Sequence, residues 1–190
     1  MSAVPDRLRL GLDFDPAPLV ADMDALDVAE WIPHFNTRLY TGEWSGVALR
    51  SVGGKPGTLY PDPTASGGFA DTPALGACPA IRDALERFAC PLTAVRLLRL
   101  APGAAVGEHR DYKLGHADGE LRIHVPLTTN PDVEFVHCGE RVEMAPGESW
   151  YLNFSERHSV ANRGGTARVH LLVDCVVNPW LDEQLAAAAA

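Results

Sequence analysis

His109 and Asp111 are the residues from which a chemistry for this chain can first be argued. They end the stretch Leu97 to Asp111, LLRLAPGAAVGEHRD, which is typical of a strand, a Pro-Gly turn and a second short strand. Residues i and i+2 of an extended chain point to the same side, so one imidazole and one carboxylate would project together. With His158 as a third ligand, they would make the two-histidine, one-carboxylate set of non-haem Fe(II) oxygenases.

The other pair of this type, His116 and Asp118, is a weaker candidate. It lies between Gly115 and Gly119 in a polar stretch where a loop is expected. His158 has a better context, because it follows the apolar run SWYLNF and precedes another short strand. A lone histidine in such a place is usually structural, and the interpretation as a ligand depends on an arginine ten positions downstream.

That arginine is Arg168, in the apolar run Ala167–Val177. An unpaired guanidinium in a buried strand is costly, whereas a ligand carboxylate that binds its planar fork removes the cost. We therefore expect Arg168 to point inward and to bind the distal carboxylate of a 2-oxo acid held by the metal. Asp174 is on the same face at period 2, so a pair with Asp174 is an alternative, as is a surface position.

Arg122 and His124 are a second polar anomaly, in the alternating run Leu121–Leu127. Their shared face is either exposed to solvent or part of a polar barrel interior. In the second case, another cation near Arg168 would suit a dicarboxylate co-substrate or a carboxylate-bearing substrate.

The elements that must position these residues are mostly short strands. A half-buried strand is predicted at 6–14, helices at Leu19–Leu26 and Pro79–Ala89, a turn at Gly42–Gly46, a short strand at Val47–Val52 and a long loop at Gly53–Ala74. From Ala94 onward, apolar runs recur between Gly, Pro and Asn turns, which favours an all-β sandwich or barrel: Val95–Leu100, Leu121–Leu127, Asp132–His137, Arg141–Met144, Ser149–Phe154, Ser159–Asn162 and Ala167–Val177. We expect one domain over 1–190, with residues 1–93 packing on a metal-binding barrel core at 94–181.

The composition of the chain argues against some classes of binding partner. The net charge of −9 argues against nucleic acid and against an anionic membrane surface. The four cysteines form no C-x-x-C pair, and no segment has the length and apolarity of a signal peptide or a membrane span. We expect a cytoplasmic protein with reduced thiols.

Several motifs in order make the segment from Leu97 to Leu181 resemble the aspartyl/asparaginyl β-hydroxylase family of Fe(II)/2-oxoglutarate oxygenases. They are an L-x-P-G turn at 100–103, His109, the run LRIH at 121–124, PGE at 146–148, His158 followed by Val160, Arg168, and LVD at 172–174 before a Pro-containing tail.

The resemblance implies a double-stranded β-helix (a cupin-like jelly roll) with a few flanking helices. It also implies iron on His109, Asp111 and His158, and 2-oxoglutarate on Arg168 with help from Arg122 and His124. The vertebrate protein hydroxylase of the family lacks the carboxylate ligand, so this chain looks closer to bacterial members that act on free amino acids.

The expected activity is therefore hydroxylation of an unactivated carbon of a small molecule, a free amino acid or a derivative, with O₂. Candidate substrate contacts are predicted from their polar or aromatic character, and they are Asn36, Arg38, Trp44, Arg50, Tyr112 and His116. Three alternatives stay open: β-hydroxylation of Asp or Asn residues in a peptide or protein, a non-catalytic cupin-like module that binds a metal or small acid, and a Zn hydrolase.

Overall fold

The computed structural model describes residues 4–60 and 68–190, and these ranges contain thirteen strands and four helices. In chain order they are β1 (Arg7–Leu10), α1 (Pro16–Ala25), β2 (Ile32–Pro33), β3 (Tyr40–Thr41), β4 (Trp44–Val52), β5 (Phe69–Asp71), α2 (Pro73–Gly76), α3 (Pro79–Leu85), β6 (Leu92–Leu100), β7 (Ala105–His109), β8 (Glu120–Thr128), β9 (Val133–His137), β10 (Glu140–Arg141), β11 (Ser149–Leu152), β12 (His158–Asn162), β13 (Arg168–Val176) and α4 (Pro179–Ala188). Single 3₁₀ turns occur at Val28–Glu30 and His116–Asp118.

The strands form two antiparallel sheets that face each other. The larger sheet has the order β1-β11-β8-β13-β6-β4-β2, with β5 paired to β4, and the smaller has the order β10-β9-β12-β7-β3. Neighbours in each sheet are distant in sequence, as when β13 lies between β8 and β6. This is the mainly β jelly roll that the sequence predicts.

Alternation along the strands of the larger sheet separates two cores. In β13, Val169, Leu171 and Val173 pack under the helices, in a cluster that also holds Leu19 of α1 and Leu181 of α4. Residues of the opposite parity face the smaller sheet, where an apolar cluster joins Leu98, Leu100 and Leu172 to Phe135 and Phe154. The buried polar side chains of β8 and β13 belong to this inter-sheet space, because they share the parity of Leu172.

Several local predictions from the sequence were wrong in extent. The strand predicted at 6–14 covers only Arg7–Leu10, and the helix predicted from Leu19 begins at Pro16, after the N-cap Asp15. The strand predicted from Val47 begins at Trp44, because residues 44–46 pair with Leu100, Arg99 and Leu98 of β6. Helix α3 ends at Leu85 rather than Ala89, since its last turn tightens into i→i−3 bonds such as Phe88 N–H to the Leu85 carbonyl. Strand β10 ends at Arg141, where its ladder with β9 stops.

The predicted loop at Gly53–Ala74 contains β5 and the start of α2, because residues 69–71 pair with β4. Residues 61–67 of that loop lie outside the described part of the chain. Among the described helices, none combines the length and apolar character needed to span a lipid bilayer.

Candidate metal centre

Two strands of the smaller sheet place the three predicted ligands together. His109 ends β7 and His158 begins β12, and the antiparallel register sets them directly opposite each other. Their ring centroids are 4.2 Å apart. Asp111 is fixed two residues beyond β7 by a bond from its backbone N–H to the Phe154 carbonyl, at 2.8 Å. One ligand atom from each of the three side chains lies within 4.8 Å of the others.

Backbone carbonyls fix the orientation of both imidazoles. The Nδ1 atom of His109 is 2.9 Å from the Gly107 carbonyl oxygen, and the Nδ1 atom of His158 is 2.9 Å from the Glu156 carbonyl oxygen. A carbonyl only accepts, so each Nδ1 carries the proton and each Nε2 presents a lone pair. Burial lowers the pKa of His158 to about 4, which keeps this ring neutral near pH 7. Both rings are thus set up as ligands, with the carbonyl partners that metal-binding histidines commonly have.

The two carboxylate oxygens of Asp111 face different partners, a histidine and an arginine. Oδ1 is 3.6 Å from Nε2 of His109, while Oδ2 accepts a hydrogen bond from Nη1 of Arg122 at 2.5 Å. Burial opposes ionisation of the carboxyl, but the guanidinium of Arg122 and neighbouring charges hold the pKa of Asp111 below its usual value. Two imidazoles and one ionised carboxylate fit a divalent non-haem iron, which this donor set binds on one face.

A buried chain of alternating charges continues from Asp111 into the larger sheet. Arg122 donates from Nε and Nη2 to Asp174, at 2.7 and 3.1 Å, and Arg96 donates from Nη2 to the same carboxylate at 3.0 Å. Asp174 is fully buried. Burial disfavours the charge of Arg122, but Asp174 and Asp111 raise its pKa above the ordinary value. The chain Arg96–Asp174–Arg122–Asp111, called the charge ladder below, therefore anchors one metal ligand to three central strands.

Arg168 is the one buried arginine of the described chain that has no carboxylate within salt-bridge distance. It is 4% exposed, its Nη2 lies 2.9 Å from Nδ1 of His170, and its Nε has no partner. Burial lowers the pKa of Arg168 from its ordinary value. A cavity of about 570 Å³ opens beside Arg168 and His170, with Phe135 and Met144 in its wall. The guanidinium is placed to receive an anion from this cavity. The alternative pair with Asp174 was wrong, because Asp174 binds Arg96 and Arg122.

His124 is connected to Arg168 through His170. Arg168 donates to Nδ1 of His170, so that nitrogen is an acceptor, and Nδ1 of His124, 3.2 Å away, must be the donor. Nε2 of His124 is buried and has no partner. Burial lowers the pKa of His124 well below the ordinary value, and the positive charges of Arg168 and Arg122 add to the effect. His124 stacks on Phe154, with ring centroids 4.7 Å apart, and thus lies between the anion pocket and the metal ligands.

The predicted site residues fall into three groups. The structure brings His109, Asp111 and His158 together, and it places Arg168 at the cavity, with His124 connected to Arg168 through His170. Arg122 lies instead between Asp111 and Asp174. A role in binding the co-substrate would require Arg122 to share N–H groups that already bind these two carboxylates.

The predicted substrate contacts are scattered. Trp44 is buried against the inter-sheet core. Asn36, Arg38 and Tyr112 are exposed, Arg50 bonds to Asp71 and to two backbone carbonyls, and His116 bonds to Asp182 of α4.

The sequence analysis missed two residues near the metal centre. Arg96 was read as part of an apolar strand, although a charge within VRLLRL was a visible signal. His34 stacks on Trp44 at 3.6 Å, and burial, with the charge of Arg96, lowers its pKa to about 4. Nothing in the sequence singles out His34, because hydrophobic residues in the run WIPHFNTRLY show no clear periodicity.

Comparison with known proteins identifies a family and several relatives. A model of the family described as aspartyl/asparaginyl beta-hydroxylase matches residues 19–178. An L-proline cis-4-hydroxylase of Rhizobium meliloti strain 1021 is 28% identical over 165 residues, which is 85% of this chain and 57% of that protein. This chain therefore spans somewhat more than half the length of that curated relative.

Solved oxygenase structures share the fold at low identity. A 2OG-Fe(II) oxygenase family oxidoreductase of Burkholderia pseudomallei is 15% identical, with a TM-score of 0.54 over 86% of this chain and 81% of that one. A viral collagen prolyl hydroxylase of Paramecium bursaria Chlorella virus-1, in complex with 2OG, is 10% identical, with a TM-score of 0.55 over 91% and 97%. A prolyl-4-hydroxylase of Pseudomonas putida is 14% identical, with a TM-score of 0.54 over 91% and 93%.

Proposed function

The chain belongs to the aspartyl/asparaginyl β-hydroxylase family, and we propose that it is an Fe(II)/2-oxoglutarate-dependent dioxygenase that hydroxylates an unactivated carbon of a free amino acid or an amino-acid-derived small molecule. One observation carries the proposal. The inter-sheet space holds the ligand set His109, Asp111 and His158 and also a buried guanidinium, that of Arg168, without an anion partner. A zinc hydrolase or a simple metal-binding barrel would have no use for that guanidinium.

The three ligands would hold iron through Nε2 of each histidine and Oδ1 of Asp111. Bound iron, with 2-oxoglutarate and O₂, would supply the oxidising power for attack on a C–H bond. The chain itself positions the side chains that would bind the iron. The carbonyls of Gly107 and Glu156 accept hydrogen bonds from the Nδ1–H groups and so leave Nε2 as the ligand atom of each imidazole, and Arg122 keeps Asp111 ionised and turned toward them.

We assign the co-substrate to the cavity beside Arg168. The guanidinium would bind the distal carboxylate of 2-oxoglutarate, since the free Nε and a terminal nitrogen together match the spacing of two carboxylate oxygens. His124 forms the wall between this pocket and the metal ligands. The apolar side chains of Phe135, Met144 and Phe154 would limit water around the bound anion.

A free amino acid is the proposed substrate class, and L-proline is its first member to test because the curated relative is named for it. We further propose one domain over 1–190, in which 94–181 carries the metal and anion groups and 1–93 packs on this core. Trp44 is the member of the predicted substrate set that lies nearest the inter-sheet cluster. Asn36, Arg38, Arg50, Tyr112 and His116 remain predictions.

The test is turnover by the purified protein with Fe(II), 2-oxoglutarate, O₂ and a panel of L-amino acids. We expect succinate release that depends on one or a few of them, and a product heavier by one oxygen atom in mass spectrometry. His158→Ala should abolish both signals, whereas Arg163→Ala, which removes an exposed arginine paired with Glu134, should retain them. Oxygenation of Asp- or Asn-containing peptides alone would replace the free-amino-acid assignment. Retention of turnover in His158→Ala would refute the site.

A further inference from the structure

Arg96 has a buried nitrogen that the protein itself does not use. Its side chain is 5% exposed, Nη2 binds Asp174, and Nη1 is shielded from solvent and has no hydrogen-bond partner among residues 4–60 and 68–190. A buried charged donor without a partner is costly, so such a group usually marks a place where a ligand binds.

The strand register places Arg96 on the wall of the inter-sheet space. In β6 it has the parity of Leu98 and Leu100, which belong to the inter-sheet cluster. It lies opposite Ala48 of β4 and Leu172 of β13. Ala48 carries only a methyl group, so β4 places no large side chain directly opposite Arg96. Arg96 is joined through Asp174 and Arg122 to the metal ligand Asp111.

The charges around the site leave one positive charge without a counterion. The buried arginines are Arg96, Arg122 and Arg168, and they face two carboxylates, Asp174 and Asp111. A divalent metal and the dianion 2-oxoglutarate would cancel each other, and the excess of one positive charge would remain. Arg168 would be neutralised by the co-substrate, and Arg122 already binds two carboxylates, so the unmatched donor is Arg96.

We propose that Arg96 binds the carboxylate of the substrate, and thereby restricts the substrate to molecules with an anionic group at the end that reaches β6 on the inner wall of the larger sheet. This inference rests on the proposed function and adds a substrate class to it. Asp174 is then a positioning residue that holds Arg96 and Arg122 together. It joins the substrate carboxylate to Asp111 through the charge ladder.

The experiment measures substrate binding rather than turnover. Wild-type protein is loaded anaerobically with Fe(II) and 2-oxoglutarate, and L-amino acids and their carboxamides, beginning with L-proline and L-prolinamide, are titrated while the visible absorption of the chelate is recorded. A charge-assisted hydrogen bond in a buried site predicts that the acid binds about 10- to 100-fold more tightly than its amide. Arg96→Gln should remove that preference by weakening the acid alone, and Arg96→Lys should restore part of it.

Arg99→Gln is the matched control, because Arg99 is on the same strand but pairs with the exposed Glu43. It should leave the preference unchanged. Equal affinity of acid and amide in wild type would overturn the assignment, and so would an unchanged preference for the acid in Arg96→Gln. If Arg96→Gln does not fold, the comparison of acid and amide in wild type still tests the assignment. An intact chelate band that no amino acid perturbs would overturn this inference and leave the oxygenase site standing. Absence of the band in wild type would overturn both.

Discussion

Replacing Arg168 with Met should stabilise the protein and at the same time remove its response to 2-oxoglutarate. Arg168 is buried with an unpartnered Nε and no carboxylate within salt-bridge distance in the described chain. Methionine has a similar length, and it leaves His124 as the donor to His170. Replacement of buried ions by apolar side chains gains about 1–4 kcal/mol, and the loss of the bond to His170, about 1 kcal/mol, reduces this to about 0–3 kcal/mol. Each 1 kcal/mol corresponds to about 2–4 °C in Tm for a chain of this size.

The same substitution should reduce the stabilisation that the protein gains from 2-oxoglutarate. A ligand at about 100 times its Kd stabilises a protein by about 2.7 kcal/mol, so 2-oxoglutarate should raise the Tm of the wild type by several degrees. Arg168→Met should show almost none of that rise. The assay is thermal unfolding with Mn(II) in the metal site, which avoids turnover, at increasing 2-oxoglutarate concentrations.

The matched control is Arg163→Met, which removes an exposed arginine paired with Glu134. It should change neither the Tm nor the ligand response. A variant Arg168→Met that is less stable than wild type and still gains stability from 2-oxoglutarate would refute the reasoning, because Arg168 would then be a structural residue.

Three further predictions concern the charge ladder and the ligands. Asp174→Asn should lower the free energy of unfolding in urea by about 3–5 kcal/mol, because it leaves two buried guanidiniums without their carboxylate; a loss below 1 kcal/mol would contradict the ladder. Arg122→Gln should weaken Mn(II) binding by about 10- to 100-fold, measured by electron paramagnetic resonance titration, since Asp111 loses its orienting partner; unchanged affinity would show that Asp111 is held by other contacts. The folded-state pKa of His158, about 4, lies below its unfolded value near 6.5, so the folded state binds fewer protons and stability falls as pH drops. Between pH 7 and pH 5 the metal-free protein should lose about 2 kcal/mol through this residue, and His158→Phe should abolish that part of the loss in urea unfolding at both pH values.

The sequence was sufficient for the parts of the site that are set by local spacing. His109 and Asp111 share a side because of the two-residue period of an extended chain, and the parity of β13 predicted that Arg168 would face inward. The jelly roll followed from short apolar runs between turns and is confirmed by the two facing sheets.

The charge ladder could not be predicted because it depends on strand register. Arg96 and Asp174 are 78 positions apart, and their contact exists only because β6 and β13 pair with Leu172 opposite Arg96. Arg122 was expected beside Arg168, but the register of β8 and β13 sets it opposite Asp174. Loop contacts were least predictable, since His116 turned outward to Asp182 of α4.

The central claim, that one metal and one 2-oxo acid bind together between the two sheets, has a direct spectroscopic test. Fe(II) is added anaerobically to the protein with 2-oxoglutarate, and the weak visible charge-transfer band of the chelate is recorded in wild type, His158→Ala and Arg168→Met. We predict a band in wild type, its loss in His158→Ala, and a band in Arg168→Met only at much higher 2-oxoglutarate concentration. Iron bound without such a band in wild type would contradict the claim and favour a metal-binding barrel without oxygenase activity.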